Sequence, residues 1–232
     1  MSTEQTVKSF WNRAADENAY WYVSSYGGYD TDRDLNEFWA SGRSIWTDIK
    51  RVTGYVPRTA DTVVEIGCGV GRLTRAIAPE VGRVIALDIS ERMLAIAGQA
   101  NLTNAEFRTA KGFTLPGIQA ESVDLALGYC VFQHLPCHAA LKSYLIEMHR
   151  VTKPRGAVVF TLVPRDWRTL LLPALRIRAY FRERFSSGGP KGCYRKEWVG
   201  IRPSASAVCS MSPTRLEHHK LDGSRILYFG RR

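Results

Sequence analysis

The chain has 232 residues, is 45% hydrophobic and 23% charged, and carries a formal net charge of +10. Length and composition fit one globular domain with at most a small appendage, and exclude a disordered or collagen-like chain. No apolar run approaches the roughly 18 residues of a spanning helix, no basic-then-apolar leader opens the sequence, and five scattered cysteines form no C-x-x-C. A reduced, cytoplasmic protein without a metal site is therefore expected.

In chain order, residues 4–20 predict a helix. An aromatic stretch, YWYVSSYGGYD, follows, and a second helix is expected over about 32–52, where Leu35, Phe38, Trp39, Ile45, Trp46, Ile49 and Val52 recur at three- and four-residue steps. From Asp61 the pattern alternates. TVVEI (62–66) reads as a strand, with a helix from Gly71. RVIALD (83–88) is a second strand, followed by a helix that Ser90 would cap. AEFRT (105–109) and VDLALGYC (123–130) are further strands. A helix over AALKSYLIEMHRVT is ended by Pro154-Arg155-Gly156, and AVVFTLV (157–163) makes a fifth strand. Strands alternating with helices imply a parallel, doubly wound α/β sheet. The end of the chain reads as a short helix near 203–210 and then two strands, TRLEHHKLD and SRILYFGRR, turning at Asp222-Gly223.

Charge is unevenly placed. Residues 1–164 hold seventeen basic and seventeen acidic side chains, whereas 165–202 hold ten and three, so the whole excess follows residue 164. It is either a solvated basic face or a surface toward something anionic. Within that segment Trp167, Leu170, Leu171, Leu172, Phe181 and Phe185 interleave with Arg168, Arg176, Arg178, Arg182 and Arg184, and Pro173 suits a helix start. The mixture suits a membrane-surface helix over 165–185 or a cap over an amphiphilic substrate. It carries no recognised RNA-binding module, so nucleic acid is not the expected partner.

The glycine turn TVVEIGCGVGRLTRAI has glycines at 67, 69 and 71, with Arg72 where a dinucleotide fingerprint requires its third glycine. No G-x-x-x-x-G-K-[ST] phosphate loop is present either. Glu65 beside the turn suits an ammonium group and suits a pyrophosphate poorly. Asp88, closing the second strand, can accept hydrogen bonds from two ribose hydroxyls. A ribose, a zwitterion and no phosphate are together met by S-adenosylmethionine.

VVEIGCGVGRLT, ALDIS, VDLALGYCVFQHLP and HRVTKPRGAVVFT together resemble the class I S-adenosylmethionine-dependent methyltransferases over about residues 60–164. The resemblance implies a Rossmann-like, seven-stranded sheet whose last strand is antiparallel. It implies that Gly67, Cys68 and Gly69 pass under the methionine part of the cofactor and that Asp88 holds the ribose. Ile89 and Met93 would pack on the adenine, Lys111-Gly112-Phe113 would edge it, and Tyr129 would line the methionine side. Many relatives carry an acid near position 111; Lys111 cannot accept from the adenine amino group, so a backbone carbonyl or a water must.

Methyl transfer is an in-line displacement at a sulfonium-activated methyl, served mainly by positioning, with a base where the nucleophile is an alcohol. His134, after the fourth strand, is the candidate base; His138, His149, His218 and His219 are weaker ones. Tyr22, Trp39 and Arg43, from the N-terminal helices, are expected to form a lid or touch substrate. Four units follow: helices and lid over 1–58, the cofactor-binding core over 59–164, a basic substrate cap over 165–202, and a C-terminal helix and hairpin over 203–232. The expected partner is a small molecule, anionic or amphiphilic, methylated on an oxygen of a sugar, lipid-linked or secondary metabolite. Methylation of RNA or protein, and cofactor binding without transfer, are the alternatives.

Overall fold

The computed structural model describes residues 2–24, 32–163, 177, 200–221 and 225–232. One seven-stranded sheet organises them. In chain order its strands are β1 (Thr62–Ile66), β2 (Arg83–Asp88), β3 (Ala105–Thr109), β4 (Val123–Gly128), β5 (Thr152–Leu162), β6 (Glu217–Lys220) and β7 (Ile226–Arg231). The spatial order is β3-β2-β1-β4-β5-β7-β6. β1 to β5 are parallel, and β7 inserts antiparallel between β5 and β6. The helices are α1 (Thr3–Ser24), α2 (Asp32–Thr53), α3 (Thr74–Ile77), α4 (Glu91–Gly98), α5 (His138–Val151) and α6 (Ala205–Met211).

Side-chain alternation divides the core between the two faces of the sheet. Val64, Ile66, Ile85, Leu87, Val158 and Phe160 pack with Leu141, Leu145 and Met148 of α5. Their strand neighbours Val63, Val84, Ala86, Ala157 and Val159 pack with Trp46 and Ile49 of α2 and Ile77 of α3. Central strands buried on both faces read as continuous apolar runs, which is why the boundaries of β1 and β2 fall where the sequence puts them. The cap also forms: the Ser90 hydroxyl accepts from the Met93 amide at 3.2 Å.

Among the boundaries that differ from expectation, four have a local reason. The helix expected from Gly71 begins only at Thr74, because Gly71 has φ +81, and it tightens into a 3-10 turn over Ala78–Glu80 around Pro79. β4 stops at Gly128, two residues before Cys130, whose φ of +57 leaves the strand geometry. Pro154-Arg155-Gly156 does not precede β5 but loops out within it: the register jumps from Val123↔Thr152 to Leu125↔Ala157. The Lys153 ammonium beside that bulge reaches Asp124 at 2.8 Å. α1 runs past residue 20, broken at Asn18 (φ −168, ψ 88), whose side chain accepts from the Trp21 amide and restarts the helix.

α1 packs apart from the two main cores. Phe10, Ala14, Ala19 and Tyr22 cluster with Phe38 of α2, Val70 of the glycine loop and Met93 of α4. Polar links fasten the same face: Lys8 to Glu91 at 2.6 Å, Asp16 to Arg92 at 2.6 Å, and Ser90 Oγ to Asn12 Oδ1 at 2.8 Å. The N-terminal helix thus covers the carboxyl ends of β1 and β2, where open parallel sheets bind ligands. The expected helix near Pro173 and nearly all of the basic segment 165–202 lie outside the described residues; Ile177 is exposed, and Gly200, Ile201 and Arg202 are described.

Candidate active site

A cavity of about 240 Å³ lies between α1 and the carboxyl ends of β1, β2 and β4. Its floor is the glycine turn. Gly67, Gly69 and Gly71 all have positive φ (+72, +55 and +81), and the amides of Gly67 and Cys68 both bond Leu87 O. There is no room for side chains: a Cβ on Gly67 would stand 2.4 Å from Val131 Cγ2, and one on Gly69 would stand 2.7 Å from Val23 Cγ2. The Cys68 thiol is buried, which pushes its pKa up and keeps it protonated.

Two carboxylates stand in the wall. Asp88 Oδ2 accepts from the Gly69 amide and Oδ1 from the Ser90 amide, each at 2.8 Å. These bonds lower its pKa, but burial outweighs them and the net shift is upward. Each oxygen has a second acceptor site, so the carboxylate can still receive two hydroxyls. Glu65 Oε2 accepts from the Thr74 hydroxyl at 2.6 Å, and burial pushes the carboxyl up to about 7. It therefore also anchors the start of α3. Arg72 lines the cavity as well, but its guanidinium is directed to α2, 3.4 Å from Ser41 Oγ and 5.4 Å from the Phe38 ring. Buried acids beside a glycine floor fit a cation and a ribose, the demands of S-adenosylmethionine. They do not fit a pyrophosphate.

Glu65, Gly67, Cys68, Gly69, Asp88, Ile89, Met93, Phe113 and Tyr129 all line this cavity. Lys111 and Gly112, expected with Phe113 at the adenine edge, do not. A tight turn closed by Thr114 N to Lys111 O at 3.2 Å, with Gly112 and Phe113 both at positive φ, leaves Lys111 exposed and brings the Phe113 ring inward, edge-on to Tyr144. Tyr22 is 3% exposed and lines the cavity, its hydroxyl 3.0 Å from Glu17. Trp39 and Arg43 were expected over the same ligand and stand elsewhere. Phe38 takes the inward position on α2, and one helical step turns the Trp39 ring onto Arg75 at 4.2 Å, beside exposed Arg43.

His134 lines the cavity. Its ring lies 5.2 Å from the Trp11 ring, edge to face, and its Nε2 is 3.2 Å from Gln133 Nε2. His138 opens α5 and is exposed, His149 sits late on α5, and His218 and His219 are both exposed on β6; none lines the cavity. Several lining residues carried no signal as site residues in the sequence. Val7, Trp11 and Val23 come from α1, Cys130 and Val131 from the β4 end, Tyr144 from the stripe read as pure core, and Arg225 from the residue before β7. Periodicity gave α1 as a helix, and its buried side could have been suspected. Nothing near Arg225 in the sequence points to a cavity.

Residues 64–160 match the family described as methyltransferase domain. Among curated relatives, a ubiquinone biosynthesis O-methyltransferase of Acinetobacter baumannii (strain ACICU) is 29% identical over 149 residues, covering 62% of this chain and 59% of the relative. The enzyme of the same name from Leptothrix cholodnii is 26% identical over 114 residues, covering 47% of each. The chain thus spans about half the length of the curated relatives it matches. Among solved structures, magnesium protoporphyrin IX methyltransferase from Synechocystis PCC 6803 with bound SAH superposes with a TM-score of 0.64 at 16% identity, over 98% of this chain and 99% of that one. A DhpI–SAM–HEP complex does so with 0.62 at 19% identity over the full length of both. Strand order, glycine floor and the methyltransferase-domain match over residues 64–160 agree, and in these the chain is similar to the class I S-adenosylmethionine-dependent methyltransferases.

Proposed function

We propose that the chain transfers a methyl group from S-adenosylmethionine to a hydroxyl oxygen of a small-molecule acceptor, on a sugar, a lipid-linked intermediate or a secondary metabolite. The observation that carries this reading is one cavity whose lining includes Asp88, Tyr129 and His134. The curated relatives, named as O-methyltransferases, support an oxygen acceptor.

Bound cofactor would supply an electrophilic methyl on a sulfonium; the protein supplies position and dryness. Asp88 accepts from the ribose hydroxyls while its amide partners hold it still. Glu65 faces the ammonium, and Gly67 and Gly69 let that part of the ligand lie against backbone. Ile89, Met93 and Phe113 flank the adenine, and Tyr129 lines the methionine side. Val7, Trp11 and Tyr22 of α1 close the roof and exclude water, so that the acceptor oxygen meets the methyl without competition. His134 takes the hydroxyl proton at Nε2, once that nitrogen leaves Gln133.

Calorimetric titration with S-adenosylhomocysteine and NAD, followed by single-turnover methylation of a panel of phenols and sugar alcohols, tests this. S-adenosylhomocysteine should bind and NAD should not; the reverse would sink the assignment. His134→Ala should lower turnover about hundredfold, within the usual range for a general base, with cofactor affinity unchanged. An unaltered rate would leave positioning alone as the source of catalysis.

A further inference from the structure

One tyrosine hydroxyl of the cavity wall is left without a bond. Tyr144 belongs to the buried stripe of α5, with Leu141, Leu145 and Met148, and is 6% exposed, yet it lines the cavity. Its hydroxyl has no hydrogen-bond partner among the described residues. A leucine would fill the same stripe without a polar atom. Burying a hydroxyl costs free energy unless something bonds it, and the large majority of buried polar side chains are bonded. We propose that the Tyr144 hydroxyl accepts a hydrogen bond from the amino group of the cofactor's adenine. This deepens the methyl-transfer reading and rests on it.

Two aromatic contacts fix the phenol. Its ring stacks on Phe132, with centroids 5.3 Å apart and planes at 24°, and meets the Phe113 ring edge-on at 6.0 Å and 78°. Phe113 follows β3 and Phe132 follows β4, so the ring is held between two loops at the carboxyl ends of the strands. Burial, and after it the charges of Asp88 and Glu4, push the phenol's pKa up, which keeps the hydroxyl protonated and neutral. Asp88 is therefore near enough to act on Tyr144 through its charge. Adenine is bonded directly to the ribose that Asp88 is proposed to hold, so the base belongs to the same neighbourhood of the cavity.

The amino group of adenine needs an acceptor. Lys111, expected at the adenine edge, has only donors and stands exposed outside the cavity. A phenol oxygen offers lone pairs to the amino group and keeps its own hydrogen for a neighbouring ring nitrogen. Being neutral, it does this without adding a third buried negative charge beside Glu65 and Asp88, which like-charge repulsion would oppose. The stacked and edge-on rings leave the phenol little rotational freedom to lose when the ligand arrives.

The test is calorimetry on the full chain with S-adenosylhomocysteine and with its analogue lacking the adenine amino group, in the wild type and in Tyr144→Phe, which keeps both ring contacts. The wild type should bind S-adenosylhomocysteine about tenfold tighter than the analogue. Tyr144→Phe should bind S-adenosylhomocysteine about tenfold more weakly than the wild type does, and the analogue within about twofold. Its denaturant midpoint without ligand should not fall, because the hydroxyl bonds no part of the fold. Unchanged affinity of Tyr144→Phe for S-adenosylhomocysteine, equal losses for both ligands, or a lowered midpoint overturns the proposal while the methyltransferase reading stands. A wild type that binds no S-adenosylhomocysteine overturns that reading and this proposal with it.

Discussion

Around the glycine turn of the cavity the backbone does most of the shaping; over the rest of its lining side chains do. Gly67, Gly69 and Gly71 lie in left-handed conformations under a floor with no room for a Cβ at two of them, and Asp88 is fixed by two amides. The three glycines, Asp88 and the two amides that fix it fall within 24 consecutive residues, 67–90. The rest of the lining is assembled from distant elements, among them Trp11 on α1, Tyr129 and His134 after β4, Val163 after β5 and Arg225 before β7. A site made of backbone geometry recognises what every member of a family binds. A site made of side chains from distant elements can change its ligand without disturbing the loop.

The sharpest way to probe the difference is to attack the buried acids. Glu65 titrates near 7 in the folded protein against 4.5 ordinarily. Between those values the folded state keeps a proton that the unfolded chain has lost, so the stability of the ligand-free protein is fully present below about pH 4.5 and falls as pH rises toward 7. The shift corresponds to about 3 kcal/mol. Asp88, also raised, adds with the same sign. Denaturant midpoints measured from pH 4.5 to 7.5 should decline in the wild type and decline less in Glu65→Gln. Equal slopes in the two proteins would assign the pH dependence elsewhere.

Asp88→Ala should act next most strongly, through ligand affinity. It removes a charged acceptor and frees the Gly69 and Ser90 amides it holds. Two charge-assisted hydrogen bonds lost to a ligand imply a decrease on the order of a hundredfold, about 2.7 kcal/mol. Calorimetry with S-adenosylhomocysteine reads this directly. An affinity within threefold of wild type would take the ribose away from Asp88 and leave the carboxylate as a loop anchor only.

The same division explains what the sequence disclosed. β1 and β2 are bounded as expected because strands buried on both faces give unbroken apolar runs, and Ser90 caps α4 because capping is decided within four residues. Errors arose where left-handed backbone interrupts a regular pattern. Gly71 delays α3, Cys130 ends β4 early, and Gly112 with Phe113 turns Lys111 out to solvent. The lining outside the glycine turn was largely illegible because its contacts are long-range. Trp11 meets His134 across 123 positions, and Arg225 meets Tyr129 across 96. Neither the period of α1 nor the basic excess after residue 164 says which member points inward. Trp39 shows the opposite failure: an aromatic on a lid helix looked suited to the ligand, but its place on the helix gives it to Arg75.

The smallest effect separates two ways of holding α1 over the cavity. Lys8–Glu91 is a 2.6 Å ion pair whose side chains are 34% and 61% exposed. Its neighbour on the same face is the Asn12–Ser90 bond, in which Ser90 is fully buried, beside the apolar cluster of Phe10, Ala14 and Met93. Exposed pairs lose most of their attraction to solvent and to the entropy of ordering two long side chains. A double-mutant cycle on Lys8→Ala and Glu91→Ala should therefore give a coupling below about 1 kcal/mol that shrinks further in 0.5 M salt. Burial, which salt does not screen, would then keep the roof closed, and acceptor affinity should vary little with ionic strength beyond any charge on the acceptor itself. A coupling above about 2 kcal/mol would reverse that assignment: the roof would be held electrostatically, and salt would open the lining built of side chains while leaving the backbone-built glycine turn intact.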